Sequence, residues 1–371
     1  MRTSRMKQWA LGLGLALFIS LSGCAEKDTE KSPEKTAESD PWHRVDAFLS
    51  EALPEDEPGA AVAVVHGDRR FVRGYGLARL DPNVAAKPDT PFRLASVSKT
   101  MTSIGVLKLV DQGMIALDDE VAEHIQDFPY DEIRVRDLLQ HTSGLPHYEK
   151  DFGRALVQAK GEPTNADMLQ FLIDEQPELL FDPGERYDYC NAGYDLLALL
   201  IEEVTGKSFA DYMKEAIFEP LGMKGALVGD PAALPADRAY GYFLGESGAQ
   251  ESNDHPLNHL LGAGGIFASA EDMAEWGRAL EPGQLLSAEL LEALETPPAL
   301  ADGPSEYGLG WIVLDGDHGR ELVHDGTWVG TATSFLHVKE EDLTVAVLMN
   351  SDRDSVKIAT GIQALMLSTD G

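Results

Sequence analysis

Three short stretches of this 371-residue chain hold side chains able to do chemistry together. The first is Ser96-Val97-Ser98-Lys99, followed at once by apolar residues at helical spacing: Met101, Ile104, Leu107, Leu109 and Val110. A helix beginning near Ser96 sets Ser96 and Lys99 on one face. It also sets them at an N-terminus whose free N–H groups favour negative charge. A serine hydroxyl becomes a nucleophile when a base takes its proton. A lysine of lowered pKa can be that base, and helix N–H groups can hold the developing oxyanion. Alone, the pattern equally fits a capping serine beside an exposed lysine.

The second stretch is Tyr189-Cys190-Asn191, ahead of the apolar helical run Leu196, Leu197, Leu199, Leu200, Ile201 and Val204, which Thr205-Gly206 should end. A phenol near a lysine can act as general acid or base. An amide can bond both the lysine and a substrate carbonyl. The plainer reading has Tyr189 packing and Asn191 capping the helix. The third stretch is His324-Asp325-Gly326-Thr327, in surroundings that alternate like strands. A glycine on an edge strand permits close backbone approach, and the N–H after it can donate to an oxyanion. Asp-Gly also signals a hairpin turn.

In this order, the three stretches resemble the serine β-lactamase and penicillin-binding-protein superfamily, which uses Ser-x-x-Lys. They are most similar to its class C β-lactamase-related branch of D-peptidases and esterases, with Tyr-x-Asn and His-x-Gly as second and third elements. Leu138–Pro146, Gly264–Ser269 and Tyr307–Trp311 resemble the same branch, so the likeness runs from about residue 42 to about 367. The resemblance implies Ser96 as the acylated nucleophile, Lys99 as its proton-transfer partner and Tyr189 as the residue activating the serine or water. It implies Asn191 on Lys99 and the substrate carbonyl, His324 and Gly326 lining the cleft, and the N–H groups of Ser96 and Thr327 as the oxyanion hole. Neither metal nor cofactor is implied. Where efficient β-lactamases carry a lysine, this chain has His324, mostly neutral near pH 7. That favours an ester or D-amino-acid amide or peptide substrate, then a DD-carboxypeptidase-like cell-wall enzyme acting on peptidoglycan fragments, then a β-lactamase. A catalytically silent wall-binding relative is the non-enzyme alternative, against which the joint presence of Ser96, Lys99, Tyr189 and Asn191 argues.

The elements that must hold these groups read as a mixed α/β (α+β) fold. Ala61–Val65 and Phe71-Val72 are early strands joined by a Gly-Asp turn, strands return from about Tyr307 to Asn350, and a helix from Val356 to Leu367 follows. Early and late strands are expected to share one antiparallel sheet, with a helix-rich insert from about 100 to 300. The resemblance implies the same: a β-lactamase/transpeptidase-like domain over 42–371, with an all-α part inserted and the cleft between the two. That insert and residues 230–262 are expected to shape the acyl and leaving-group pockets.

Ahead of this domain, Arg2, Arg5 and Lys7 precede an apolar run from Trp9 to Leu21, a signal-peptide pattern over 1–23. Leu21-Ser22-Gly23-Cys24 looks like a lipoprotein signal, which makes Cys24 the lipidated residue and membrane attachment the expectation. Residues 24–41 read as a lysine- and acid-rich tether. No aspartate follows Cys24, so the expected place is a bacterial cell envelope, at the outer membrane facing the periplasm. The chain holds 30 basic and 63 acidic residues, a net charge of −33. Such a surface repels nucleic acid and raises the expectation of adaptation to high salt. Lipidation of Cys24 leaves Cys190 alone, so no intrachain disulfide is expected.

Other residues offer less. Cys190 reads as a small buried hydrophobe or as a thiol beside the site. His141 reads as ordering its loop rather than as a base for Ser143. Asp118-Asp119-Glu120 and Glu340-Glu341-Asp342 are adjacent rather than convergent, so solvated turns are expected, not a metal site. His255 and His259 flank Pro256 with no third ligand in step.

Overall fold

The computed structural model describes residues 40–229, 234–301 and 303–368. Cys24, the leader and most of the tether lie outside the described residues. Six antiparallel strands form the main sheet: β1 (Ala60–His66), β2 (Arg69–Tyr75), β3 (Ile312–Gly316), β4 (Gly319–Trp328), β5 (Thr331–Val338) and β6 (Leu343–Met349). Their order is β3-β4-β5-β6-β1-β2, so the two ends of the chain meet where β6 pairs β1, Val347 opposite Val62. Gly67, at φ 54, turns β1 into β2.

Period-two alternation decides which side chains face which layer. Val62, Val64, Val345 and Val347 pack with Val45 and Leu49 of α1 (Pro41–Ala52) and with Ala359 and Ile362 of the C-terminal helix Ser355–Leu367. Ala61, Ala63 and Ala346 face the opposite way, into the core shared with the middle of the chain. Strand β6 is buried along its whole length, which is why it reads as an unbroken apolar run.

The middle segment is not helical throughout. Ile266–Ala268 pairs with Phe92–Arg93 and Leu227–Val228, Tyr242–Gly245 forms a hairpin with Gly248–Glu251, and helix Ala270–Trp276 returns to pack on β1, β2 and β6. Two helices position the site. α2 (Ser98–Asp111) is buried on nearly every side, and α3 (Asn191–Thr205) packs against it. The hydroxyls of α2 all find acceptors or donors: Thr100 Oγ1 donates to Val97 O at 2.7 Å, Thr102 Oγ1 to Gly262 O at 2.8 Å, Ser103 Oγ to Leu309 O at 2.5 Å, and Ser98 Oγ accepts from Ile266 N at 3.1 Å. A helix buried all round tolerates these groups because each is bonded. Gly206, at φ 68, ends α3 in the left-handed conformation that glycine favours.

Candidate active site

Ser96 sits in a 3₁₀ turn, Ala95–Val97, and α2 itself begins at Ser98. Ala95 holds φ 47, an uncommon conformation for a residue with a Cβ, and so aims the turn at a cost of about 1 kcal/mol. Among the described residues the Ser96 N–H has no hydrogen-bond acceptor. Lys99 remains within reach: its Nζ donates to Ser96 Oγ at 3.2 Å and to Ala263 O at 2.9 Å.

Lys99 is fully buried. Burial lowers its pKa, while Asp195 and Glu149 pull it back up. Asp195, one turn into α3, is buried as completely, and burial raises its carboxyl. Its Oδ1 accepts from Ala263 N at 2.8 Å. One residue, Ala263, thus links the pair, its N–H on the Asp195 carboxylate and its C=O on the Lys99 amine. Asp195 was not singled out in the sequence; a lone acid within the apolar stretch of α3 is the signal that could have found it.

Tyr189 lies beside this pair, its ring centroid 4.8 Å from Lys99 Nζ. Burial raises its phenol, against a hydrogen bond with Ser96 that lowers it. The phenol is therefore neutral in the unliganded protein, and Lys99 is the group whose proton is loosened. Asn191 is the first residue of α3 and does not cap it; the cap is the backbone of Cys190. Its Nδ2 donates to Glu149 Oε1, and its buried Oδ1 has no donor among the described residues. Lys99 bonds Ser96 Oγ and Ala263 O rather than this amide.

Residues His324–Thr327 lie inside β4, not in a hairpin turn. Pairing with β3 stops at Val323, opposite Ile312, so this end of β4 has an open edge. Gly326 packs against the nucleophile turn: a Cβ there would lie 2.5 Å from Leu94 O and 2.8 Å from Ser96 N. Thr333, opposite Gly326, ties the same turn down by donating to Leu94 O at 2.7 Å. The imidazole of His324 is buried, with Nδ1 2.8 Å from Asp325 O and Nε2 3.0 Å from Tyr307 Oη. The carbonyl can only accept, so Nδ1 carries the proton and Tyr307 donates to Nε2. Burial, and Lys99 nearby, bring its pKa down to about 3. The ring expected to line the cleft has both nitrogens engaged within the protein and no charge to offer.

Ser96, Asn191, Ala263 and Thr327 line one open cleft, with Tyr148 and Trp328 on its walls. The oxyanion pair Ser96 and Thr327 therefore opens on a single space. His141 lies beneath it, its ring 4.2 Å from that of Tyr189 and 4.7 Å from that of Tyr307. Its Nδ1 accepts from Cys190 N at 3.1 Å, and its carbonyl accepts from Asp188 N at 2.9 Å. These bonds order the Tyr189 loop. The Cys190 thiol is buried, 3.8 Å from Pro146 O, and burial pushes it up to about 12. It packs as a hydrophobe. Away from the cleft, Asp119, Glu123 and His124 bring donor atoms within 4.8 Å of one another. Asp119 Oδ2 there already accepts from Ala116 N at 2.7 Å and meets His124 Nε2 at 2.9 Å, which orders the loop.

A family model described as Beta-lactamase matches residues 45–366. The chain is 30% identical over 311 residues to Penicillin-binding protein 4* of Bacillus subtilis, covering 80% of this chain and 69% of that one. It is 32% identical over 317 residues to a D-aminopeptidase of Brucella melitensis, covering 82% of this chain but only 59% of that protein's length. Among solved structures, the octameric penicillin-binding protein homologue from Pyrococcus abyssi superposes with a TM-score of 0.76 at 28% identity, over 88% of this chain and 77% of that one.

Proposed function

The chain belongs to the β-lactamase family, and we propose that it is a serine hydrolase cleaving ester or D-amino-acid amide and peptide bonds through an acyl-Ser96 intermediate. The observation that carries this reading is Lys99, a buried amine of lowered pKa 3.2 Å from the Ser96 hydroxyl. Neutral Lys99 takes the Ser96 proton as Oγ attacks the carbonyl. The oxyanion meets the N–H groups of Ser96 and Thr327. Lys99 returns the proton to the leaving amine or alkoxide through the neutral Tyr189 hydroxyl. Water, activated by the same pair, then releases the acyl group. Asn191 and Gly326 frame the cleft, the first through its amide and the second by letting β4 reach the serine.

The D-aminopeptidase relative supports D-configured substrates. The test uses p-nitrophenyl acetate with D- and L-alanine p-nitroanilide, on wild type and Ser96→Ala. Ester and D-anilide turnover that vanishes in the variant is expected; wild-type rates in Ser96→Ala would sink the assignment. A DD-carboxypeptidase-like activity on peptidoglycan fragments is the second reading, favoured by the likeness to Penicillin-binding protein 4*. A lasting Ser96-dependent penicillin adduct would move it to first place. The uncharged, internally bonded His324 weighs against efficient β-lactam hydrolysis. Lipid attachment at Cys24, at the outer membrane facing the periplasm, completes the reading on the strength of Leu21-Ser22-Gly23-Cys24. Intact mass of the membrane fraction tests it: a diacylglyceryl adduct lost in Cys24→Ala is expected, and an unmodified mature chain would refute it.

A further inference from the structure

We infer that Arg93, backed by Arg238, forms a subsite for a carboxylate carried by the substrate. The inference rests on the acyl-Ser96 reading. Arg93 precedes Ser96 by three residues and lines the same cleft. Its residue is only 9% exposed. Its guanidinium lies 4.9 Å from the Phe267 ring centroid, and Nη1 donates to Gly264 O at 3.2 Å. Among the described residues, Nε and Nη2 have no acceptor, and no carboxylate pairs with this side chain.

An unpaired buried cation is unfavourable in any protein. It is more conspicuous where acids outnumber bases 63 to 30. Arg238 adds to the positive field. It borders a small pocket that Arg93 also lines, stacks 4.4 Å from the Tyr240 ring and gives Nη1 to Pro235 O at 3.2 Å. Arg93 stays cationic at neutral pH, although burial and the Arg238 charge bring it to about 10. His255 nearby is held neutral by burial and by Arg93. Leu257, Leu260 and Trp328 supply apolar walls. A guanidinium with two donor nitrogens free of acceptors among the described residues matches the planar fork of a carboxylate. The ligand chemistry is thus an apolar body with one carboxylate, held beside the serine.

Two matched substrate pairs test this and locate the acid. D-glutamate against D-glutamine p-nitroanilide probes the acyl side, and D-alanyl-D-alanine against its C-terminal amide probes the leaving group. In wild type, kcat/KM for the acid should exceed that for the neutral partner by about tenfold or more in one pair. Arg93→Gln should bring that ratio close to one, Arg93→Lys should keep part of it, and Arg238→Gln should reduce it. Ratios near one in both pairs for wild type, or a ratio unchanged in Arg93→Gln, would overturn the subsite. Absence of Ser96-dependent turnover for every substrate would instead refute the acyl-enzyme reading. The subsite would then stand or fall on hexanoate binding by calorimetry: binding to wild type that is lost in folded Arg93→Gln supports it, and equal or absent binding refutes it.

Discussion

Gly326 and Ser96 touch through their backbones: a Cβ on Gly326 would lie 2.8 Å from Ser96 N. The third sequence element therefore acts first by its lack of a side chain, since any Cβ pushes β4 off the nucleophile turn. Gly326→Ala should destabilise the fold by about 1–3 kcal/mol and lower esterase kcat by about 10²-fold through misplacement of Ser96. Urea unfolding and single-turnover kinetics check the two halves separately.

Lys99→Met keeps the buried aliphatic stem and removes the amine. Ester turnover should fall by about 10²–10⁴-fold, and circular dichroism should be unchanged. A variant with near-wild-type turnover would leave Tyr189 as the base despite its raised phenol.

The Lys99 pKa predicts the acid limb of kcat/KM. Lys99 acts as base only when neutral, so activity should rise with pH through its folded pKa, below the ordinary lysine range. Asp195 favours the ammonium form. Asp195→Asn should therefore move that limb to lower pH; an unmoved or raised limb would show that Asp195 does not act on Lys99.

His324 links stability to pH. It stays neutral when folded, down to about 3, against 6.5 for an ordinary imidazole. The unfolded chain thus binds the extra proton in that window, and stability falls as pH drops from 6.5 toward 3. Between pH 7 and pH 5 the loss from this residue is about 2 kcal/mol. His324→Gln should show a correspondingly smaller drop in urea stability over that interval. His337, brought down to about 4 by burial, contributes in both proteins.

Short-range patterns made much of the site legible. Ser96 and Lys99 are three residues apart, Tyr189 and Asn191 two, and local helix and strand geometry brings each pair together. The alternating valines of β1 and β6 announced the sheet that joins the two ends. What stayed hidden depends on tertiary contact. Asp195 meets Ala263 across 68 residues, and Tyr307 meets His324 across 17. Nothing local says that the His324 ring turns inward, or that Arg93 has no acid partner among the described residues. The short strands Phe92–Arg93 and Ile266–Ala268 also stayed hidden, because two or three residues are too few for a strand pattern to register.

The most direct measurement is intact mass after reaction with a fluorophosphonate probe, followed by peptide mapping, on wild type and Ser96→Ala. One adduct per chain, located on Ser96 and absent from the folded variant, is the predicted result. Equal labelling of the variant, or an unlabelled wild type that still hydrolyses esters, would contradict Ser96 as the nucleophile.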